Sequence, residues 1–314
     1  MHVLASGGVA VPVQLATGVV VGCGYGLFAL GIVLVYKASR IFNFAQCEIG
    51  AFGAFITVCS VRGLGFFPAW PLPAAIVLGL CAGTVMGLAA ERVVVRPLLG
   101  APRATLLVAT AGLALALASL EALIFGADAS HVLPNIGGPS KFALFGSRED
   151  ASSYLYGWTQ IATVLALVGA ALAAVVFFRT RYGAAVLAVS QDPMAASIVG
   201  IKVSRISALV WGIAGFLGAV AAIVTLAGHA FIPGSQSGFY SGTGPLILAF
   251  TAAALGGMTS LPGAFAGGLA LGIIEQVAAN YMPSSVPGGT AIVVFGVLLA
   301  VLLVKPAGLL GKST

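Results

Sequence analysis

The stretch WTQIATVLALVGAALAAVVFF, residues 158 to 178, carries no charged side chain. At about 1.5 Å of rise per residue it is as long as a bilayer's hydrocarbon core is thick. Similar apolar runs recur along the 314 residues, of which 60% are hydrophobic and 7% charged. Inside a bilayer every backbone polar group must find its partner within the span, which leaves helices or closed barrels, and Leu/Ala/Val runs select helices. The expected fold is an all-α, polytopic transmembrane helical bundle forming one domain over residues 1–314 and surrounded by membrane lipid.

Reading about twenty residues per crossing gives spans near 13–36, 41–61, 72–90, 104–126, 158–178, 206–228, 243–260, 263–282 and 289–304. Two of these are weak. The second begins polar, and the seventh is short and holds Gly242, Gly244, Gly256 and Gly257, so either can be broken or re-entrant and the count is eight to nine. The first run has no basic residue ahead of it, unlike a signal peptide, and is kept as a span.

Basic residues decide the orientation. With residue 1 outside, the cytoplasmic connections carry Lys37, Arg40, Arg92, Arg96, Arg103, Arg179, Arg181, Lys202, Arg205, Lys305 and Lys312, and the outside keeps Arg62, Lys141 and Arg148. That asymmetry obeys the positive-inside rule and places the N-terminus outside and the C-terminus in the cytosol. The net charge of +6 therefore reads as topology, and no nucleic-acid partner is expected.

Glycine is patterned as well as abundant. Gly18, Gly22 and Gly26 recur every four residues, as do Gly79, Gly83 and Gly87, and Gly268 pairs with Gly272. Such spacing lets helix backbones approach closely. Cys23, Cys47, Cys59 and Cys81 lie in or beside apolar stretches without metal-ligand spacing and read as small buried side chains.

Catalytic motifs fail on inspection. The ending GLLGKST resembles the close of a phosphate-binding loop, yet the position of its first glycine is Pro306 and no helix follows. His2, His131 and His229 are too scattered for a metal pair. Neither catalytic residues nor a metal site nor a cofactor is expected in this chain.

The longest basic-flanked connection, residues 179 to 205, contains a short marked helix. Asp192 suits the N-cap, Pro193 the first helical position and Gly200 the residue past the end, with Ala195 and Ala196 between them. A loop that only joins two spans needs a few residues, so a capped helix of about two turns points to a docking element, the alternative being an ordinary interfacial helix.

GAAVLAVSQDPMAASIVGI at 183–201, followed by SRISALVWGIAGFLGAVA, resembles the coupling segment of inner-membrane permeases of the branched-chain amino acid ABC transporter family, the LivH type. Arg40, Asn43, Phe44, Ala45, Gln46, Cys47 and Glu48 resemble that family's Arg-x-x-Asn-Phe-Ala-Gln-Gly-Glu segment, with Cys47 where glycine is usual. The stretch at 254–275 and the ending LLVKPAGLLG also match, so the resemblance runs from about residue 13 to 311. It implies a permease that pairs with a second, LivM-type permease, two cytoplasmic ATPase subunits that bind ATP and Mg, and an extracytoplasmic substrate-binding protein. It implies too that residues 192–200 dock on an ATPase, in a bacterial inner membrane. Family substrates are branched-chain and other amino acids, urea, short amides and aromatic acids. An ion-coupled secondary transporter is the competing class, with inverted repeats and midplane ionisable residues as its signs. A structural subunit of a membrane complex is a third.

Glu48, Glu121 and Glu275 fall within spans, where an ionisable group is costly and points to function. Glu121 and Glu275 lie near outer span ends, from which a side chain reaches the headgroups. On a regular helix Asn43, Gln46, Cys47, Gly50 and Ala54 share one small polar face, while Glu48 lies among Phe44, Phe52 and Phe55. The polar face lines a translocation pathway or holds helices together, and the residues alone leave both readings open.

Overall fold

The computed structural model describes residues 7–64, 67–98, 100–126, 131–134, 136, 141–145, 154–227, 230–231, 244–281 and 288–311. Gly242, Arg148 and Lys312, and the histidines His2 and His229, lie outside them. Helices dominate. Helix α1 (Gly7–Ser39) is followed by α2 (Gln46–Arg62) and α3 (Leu72–Ala90), and α3 continues through a π turn at Glu91–Val95 and a 3-10 turn at Arg96–Leu98. Next come α4 (Arg103–Phe125), α5 (Trp158–Phe178), the short α6 (Arg181–Gln191) and α7 (Pro193–Ile198), and α8 (Val203–Leu226). The chain then forms α9 (Pro245–Gly256), α10 (Leu261–Tyr281) and α11 (Gly289–Val304).

Strands are marginal. The pairs β1 (His131–Val132) with β4 (Ala230–Phe231), and β2 (Lys141–Phe145) with β3 (Tyr154–Gly157), are antiparallel two-stranded ribbons beside the helices.

Six helices are long and apolar enough to cross a membrane among the described residues: Gln14–Ser39, Leu72–Leu98, Arg103–Phe125, Trp158–Phe178, Val203–Leu226 and Leu261–Tyr281. The third span thus runs eight residues past its expected end at 90, because the π and 3-10 turns carry the helix on. At 12 residues α9 spans about 18 Å, well short of a 30 Å hydrocarbon core. The expected span 243–260 is accordingly broken: α9 stops at Gly257, whose φ is 105°, and α10 begins four residues later.

Small residues set the packing, since lipid supplies no hydrophobic drive between helices and close van der Waals contact must serve instead. A Cβ added at Gly22 of α1 would lie 2.6 Å from the Gly268 carbonyl of α10, and one at Gly18 would lie 2.8 Å from Cα of Ile273. Gly79 and Gly83 of α3 meet Gly53 and Thr57 of α2 and Ala219 of α8 in the same way. Helix α2 is consequently enclosed, with every residue buried except Phe52 and the last two. Enclosure by α3, α8 and α4 explains how a helix carrying Gln46, Glu48, Thr57 and Ser60 tolerates a membrane: its polar groups face protein.

Helix ends gather at two poles. One cavity is lined by Lys37 and Arg40 together with Leu187 and Gln191 of α6, Thr259 and Ser260 of the α9–α10 turn, and Leu310. A neighbouring one joins Ile41, Arg103 at the start of α4, Pro193, and Val203 at the start of α8. At the opposite pole Arg62 donates to the Val132 carbonyl at 2.9 Å, the Ile136 amide donates to Thr159 Oγ1 at 3.0 Å, and Leu133 bridges to Ala227.

Candidate functional site

Between α5 and α8 the structure forms two short helices where the sequence predicts one. Thr180 caps the first, α6, its Oγ1 accepting from the Gly183 amide at 3.3 Å. Gly183, Val186 and Val189 turn inward, which holds α6 against the bundle. Asp192 then ends α6 and caps α7. Its Oδ1 accepts from the Met194 amide at 2.8 Å and the Ala195 amide at 3.0 Å, and Pro193 occupies the first turn, where no amide is needed. The other end closes as a Schellman motif: Ile201 N–H donates to the Ala196 carbonyl, Gly200 N–H to that of Ser197, and Gly200 takes φ 88°.

Five positions marked in the sequence divide by burial. Ala196 is buried, while Asp192, Pro193, Ala195 and Gly200 are exposed. The residues that sequence reasoning missed are Met194, Ile198 and Val199, 76%, 80% and 75% exposed. An i, i+4 apolar pair on a helix outside the spans is the signal that would have found them.

Beneath α7 lies a cavity of about 370 Å³ shared by the end of α1, the start of α4, α6 and α8, with Arg40, Arg103 and Gln191 in its wall. Two of its lining residues, Ser207 and Trp211, hold buried polar atoms with no hydrogen-bond partner among the described residues. At the margin of this region Arg96 forms an ion pair with Glu91 at 3.1 Å and donates to the Ser204 carbonyl at 3.3 Å, tying the end of α3 to the start of α8.

Asn43 and Gln46 come together, though not on one helix face. The helix starts at Gln46, because Asn43 Oδ1 accepts from the Ala45 amide at 3.1 Å and holds the chain in an Asx turn. Asn43 Nδ2 donates to Gln46 Oε1 at 3.0 Å, and Gln46 Nε2 donates to the Ala214 carbonyl of α8 at 2.8 Å. Gln46 also fills the space left by Gly31 of α1 and Gly218 of α8. Both amides are fully buried and bonded to protein. Cys47 is equally enclosed, so its extra bulk is accommodated inside α2's sheath.

Glu48 is 0% exposed. The α2 side it shares with Phe52 and Phe55 meets α4: Phe55 stacks on Phe125 with centroids 4.9 Å apart, and Phe52 meets the same ring edge-on at 6.0 Å. Glu121, one turn before Phe125, is also fully buried, which corrects the expectation that it reaches the headgroups. Glu275 is half-buried, with a buried carboxylate oxygen that has no hydrogen-bond partner among the described residues, on α10, which packs closely against α1.

The sequence model of the family described as branched-chain amino acid transport system / permease component matches residues 14–303. The chain is 32% identical over 307 residues, covering 95% of both proteins, to the high-affinity branched-chain amino acid transport system permease protein LivH of Salmonella typhimurium. It is 33% identical over 305 residues, again 95% of both, to BraD of Pseudomonas aeruginosa, and 28% identical over 301 residues to a probable LivH of Methanocaldococcus jannaschii, covering 91% and 88%. Among solved structures, PsaBC from Streptococcus pneumoniae in complex with Fab aligns over 93% of this chain at TM-score 0.42 and 15% identity, too weak a likeness to bear on fold or function. Coverage of nearly the whole chain, on a helical bundle suited to a membrane, settles the assignment: this chain belongs to the branched-chain amino acid transport permeases.

Proposed function

We propose that the chain is the membrane-spanning permease of an ATP-driven importer, passing branched-chain or other amino acids delivered by an extracytoplasmic binding protein. It works beside a second, LivM-type permease and two cytoplasmic ATPase subunits in a bacterial inner membrane. The relatives, themselves named as branched-chain amino acid transport permeases, support the substrate class. The capped helix α7 carries the mechanism: three exposed apolar residues stand on a helix fixed at both ends, at the pole that collects most of the basic residues.

Nine crossings, with residue 1 outside and residue 314 inside, fit the two poles. Lys37, Arg40, Arg103, the α6–α7 pair and the α9–α10 turn share one of them, and Arg62 and the β1–β4 ribbon the other. Closure of the ATPases on ATP pushes α7, whose stiff caps pass the displacement through α6 and α8 to the bundle, a two-state change driven by contacts that differ between the states.

Disrupting α7 should uncouple the machine. Proline at Ala196 removes the amide that donates to the Asp192 carbonyl at 3.0 Å and clashes within the turn, while Asp192→Lys removes the cap and opposes the helix dipole. In proteoliposomes holding all subunits and the binding protein, either variant should assemble normally and hydrolyse ATP while losing most substrate uptake. Normal import by a well-expressed Ala196→Pro variant would overturn the reading. Ion-driven uptake by this chain without ATPases would replace it with a secondary transporter.

A further inference from the structure

On one flank the bundle carries an apolar groove of about 390 Å³ between α1, α5, α8 and α10, walled by residues such as Leu30, Leu34, Ala170, Phe177, Leu217 and Leu261. Ala174 and Leu261 also line a second cavity of about 590 Å³, so the two adjoin. The character changes sharply from one to the other. The second cavity presents Lys37, Arg40, Ser190, Gln191, Thr259 and Ser260.

The cations are positioned by the fold. Lys37 Nζ sits 4.6 Å from the centre of the Phe178 ring at the end of α5. Arg40 is the one non-glycine residue with positive φ among the described residues, at 56°. Its amide closes α1 onto the Tyr36 carbonyl at 2.7 Å, and no carboxylate pairs with its guanidinium among the described residues. The left-handed turn sets Arg40 in the wall that this cavity shares with its neighbour.

We infer that the continuous groove and cavity bind one anionic phospholipid of the cytoplasmic leaflet, its phosphate at Lys37 and Arg40 and an acyl chain along the groove. This rests on the orientation argued above, which puts this pole in the cytosol. Hydroxyls at Thr259 and Ser260 suit the remaining headgroup oxygens, and the apolar length beyond them suits nothing water-soluble. Basic pockets between membrane helices on the cytoplasmic side take such headgroups. Because Ser190 and Gln191 belong to α6, the lipid also touches the segment that leads to α7, and its loss should weaken coupling.

Native mass spectrometry of the full chain in detergent tests the site, using phosphatidylglycerol and phosphatidylcholine with the same acyl chains. Phosphatidylglycerol should be retained in preference. Each cation removed should cost about fivefold in that preference, so Lys37→Gln with Arg40→Gln loses roughly 25-fold, and Lys37→Arg with Arg40→Lys restores it. Ala170→Trp, which fills the groove, should release the lipid with both cations in place, and inorganic phosphate should not displace it. Equal retention of the two lipids, undiminished preference in the double glutamine variant, retention by Ala170→Trp, or displacement by phosphate would each overturn the inference. The readout needs neither ATP nor a partner, so its failure leaves the importer reading standing.

Discussion

Gln46 illustrates how a polar residue is kept in a membrane bundle. Both ends of its amide are committed, the oxygen accepting from Asn43 and the nitrogen donating to the Ala214 carbonyl of α8, and glycines on two helices make room for it. Replacement by leucine keeps the volume roughly constant but leaves a buried Asn43 donor bare. The expected cost is about 1–2 kcal/mol, read as a lower midpoint of thermal unfolding in detergent. Uptake per folded molecule should stay near wild type, because the side chain works as a cross-link; a raised KM without lost stability would show that it meets substrate instead. The polarity of this stretch was legible in the sequence, and so was the resemblance it carries. Its geometry was not, since an Asx turn at Asn43 delays the helix by three residues and rotates Asn43 off the face that a regular helix would give it. The Glu91–Arg96 pair was hidden for a similar reason. A five-residue spacing matches no α-helical neighbour rule, and only the π turn brings the two side chains together.

Among the elements, the helix seams were the most readable feature. The four-residue glycine spacings foretold close approach, and the structure places Gly18 and Gly22 of α1 against Gly268 and Gly272 of α10. Leucine at Gly268 would drive a side chain into the backbone of α1 at Gly26. Expression as a monodisperse, detergent-stable protein should collapse for that variant, while leucine at Gly112, where an added Cβ meets nothing within 4 Å, should leave size-exclusion behaviour unchanged. Equal tolerance at both positions would remove the packing argument. The division of residues 179–205 into α6 and α7 was less readable. Asp192 was recognised as a start signal for one helix, and its second role as the stop of another depends on Val186 and Val189 finding the bundle, a tertiary fact.

For the whole molecule, the arrangement of poles makes a direct prediction about sidedness. A single cysteine replacing Lys202, in a background without the native four, should react with a membrane-impermeant maleimide only in inverted vesicles. A cysteine replacing Arg62 should react only in intact cells. The reverse pattern would invert the orientation, and reaction of both from one side would remove a crossing. Nine hydrophobic stretches were legible from hydropathy and charge alone, yet α2, α9 and α11 lie outside the six helices long and apolar enough to cross a membrane among the described residues. Helix α9 is too short, and the turn after it reaches the same cavity as Lys37 and Gln191. Helix α2 has 17 residues, nearly all of them buried within the protein.

That enclosure has a consequence for how the protein is made. Gln46 and Ala214 are 168 residues apart, so at roughly 5–20 residues per second the helix that receives the Gln46 bond leaves the ribosome about 10–30 s after α2 does. During that interval α2, with Glu48 and the Gln46 amide, has no α8 to lie against. It must wait beside α1 and α3 or within the insertion machinery, which makes synthesis between α2 and α8 the interval most exposed to membrane proteases and most sensitive to a slow codon.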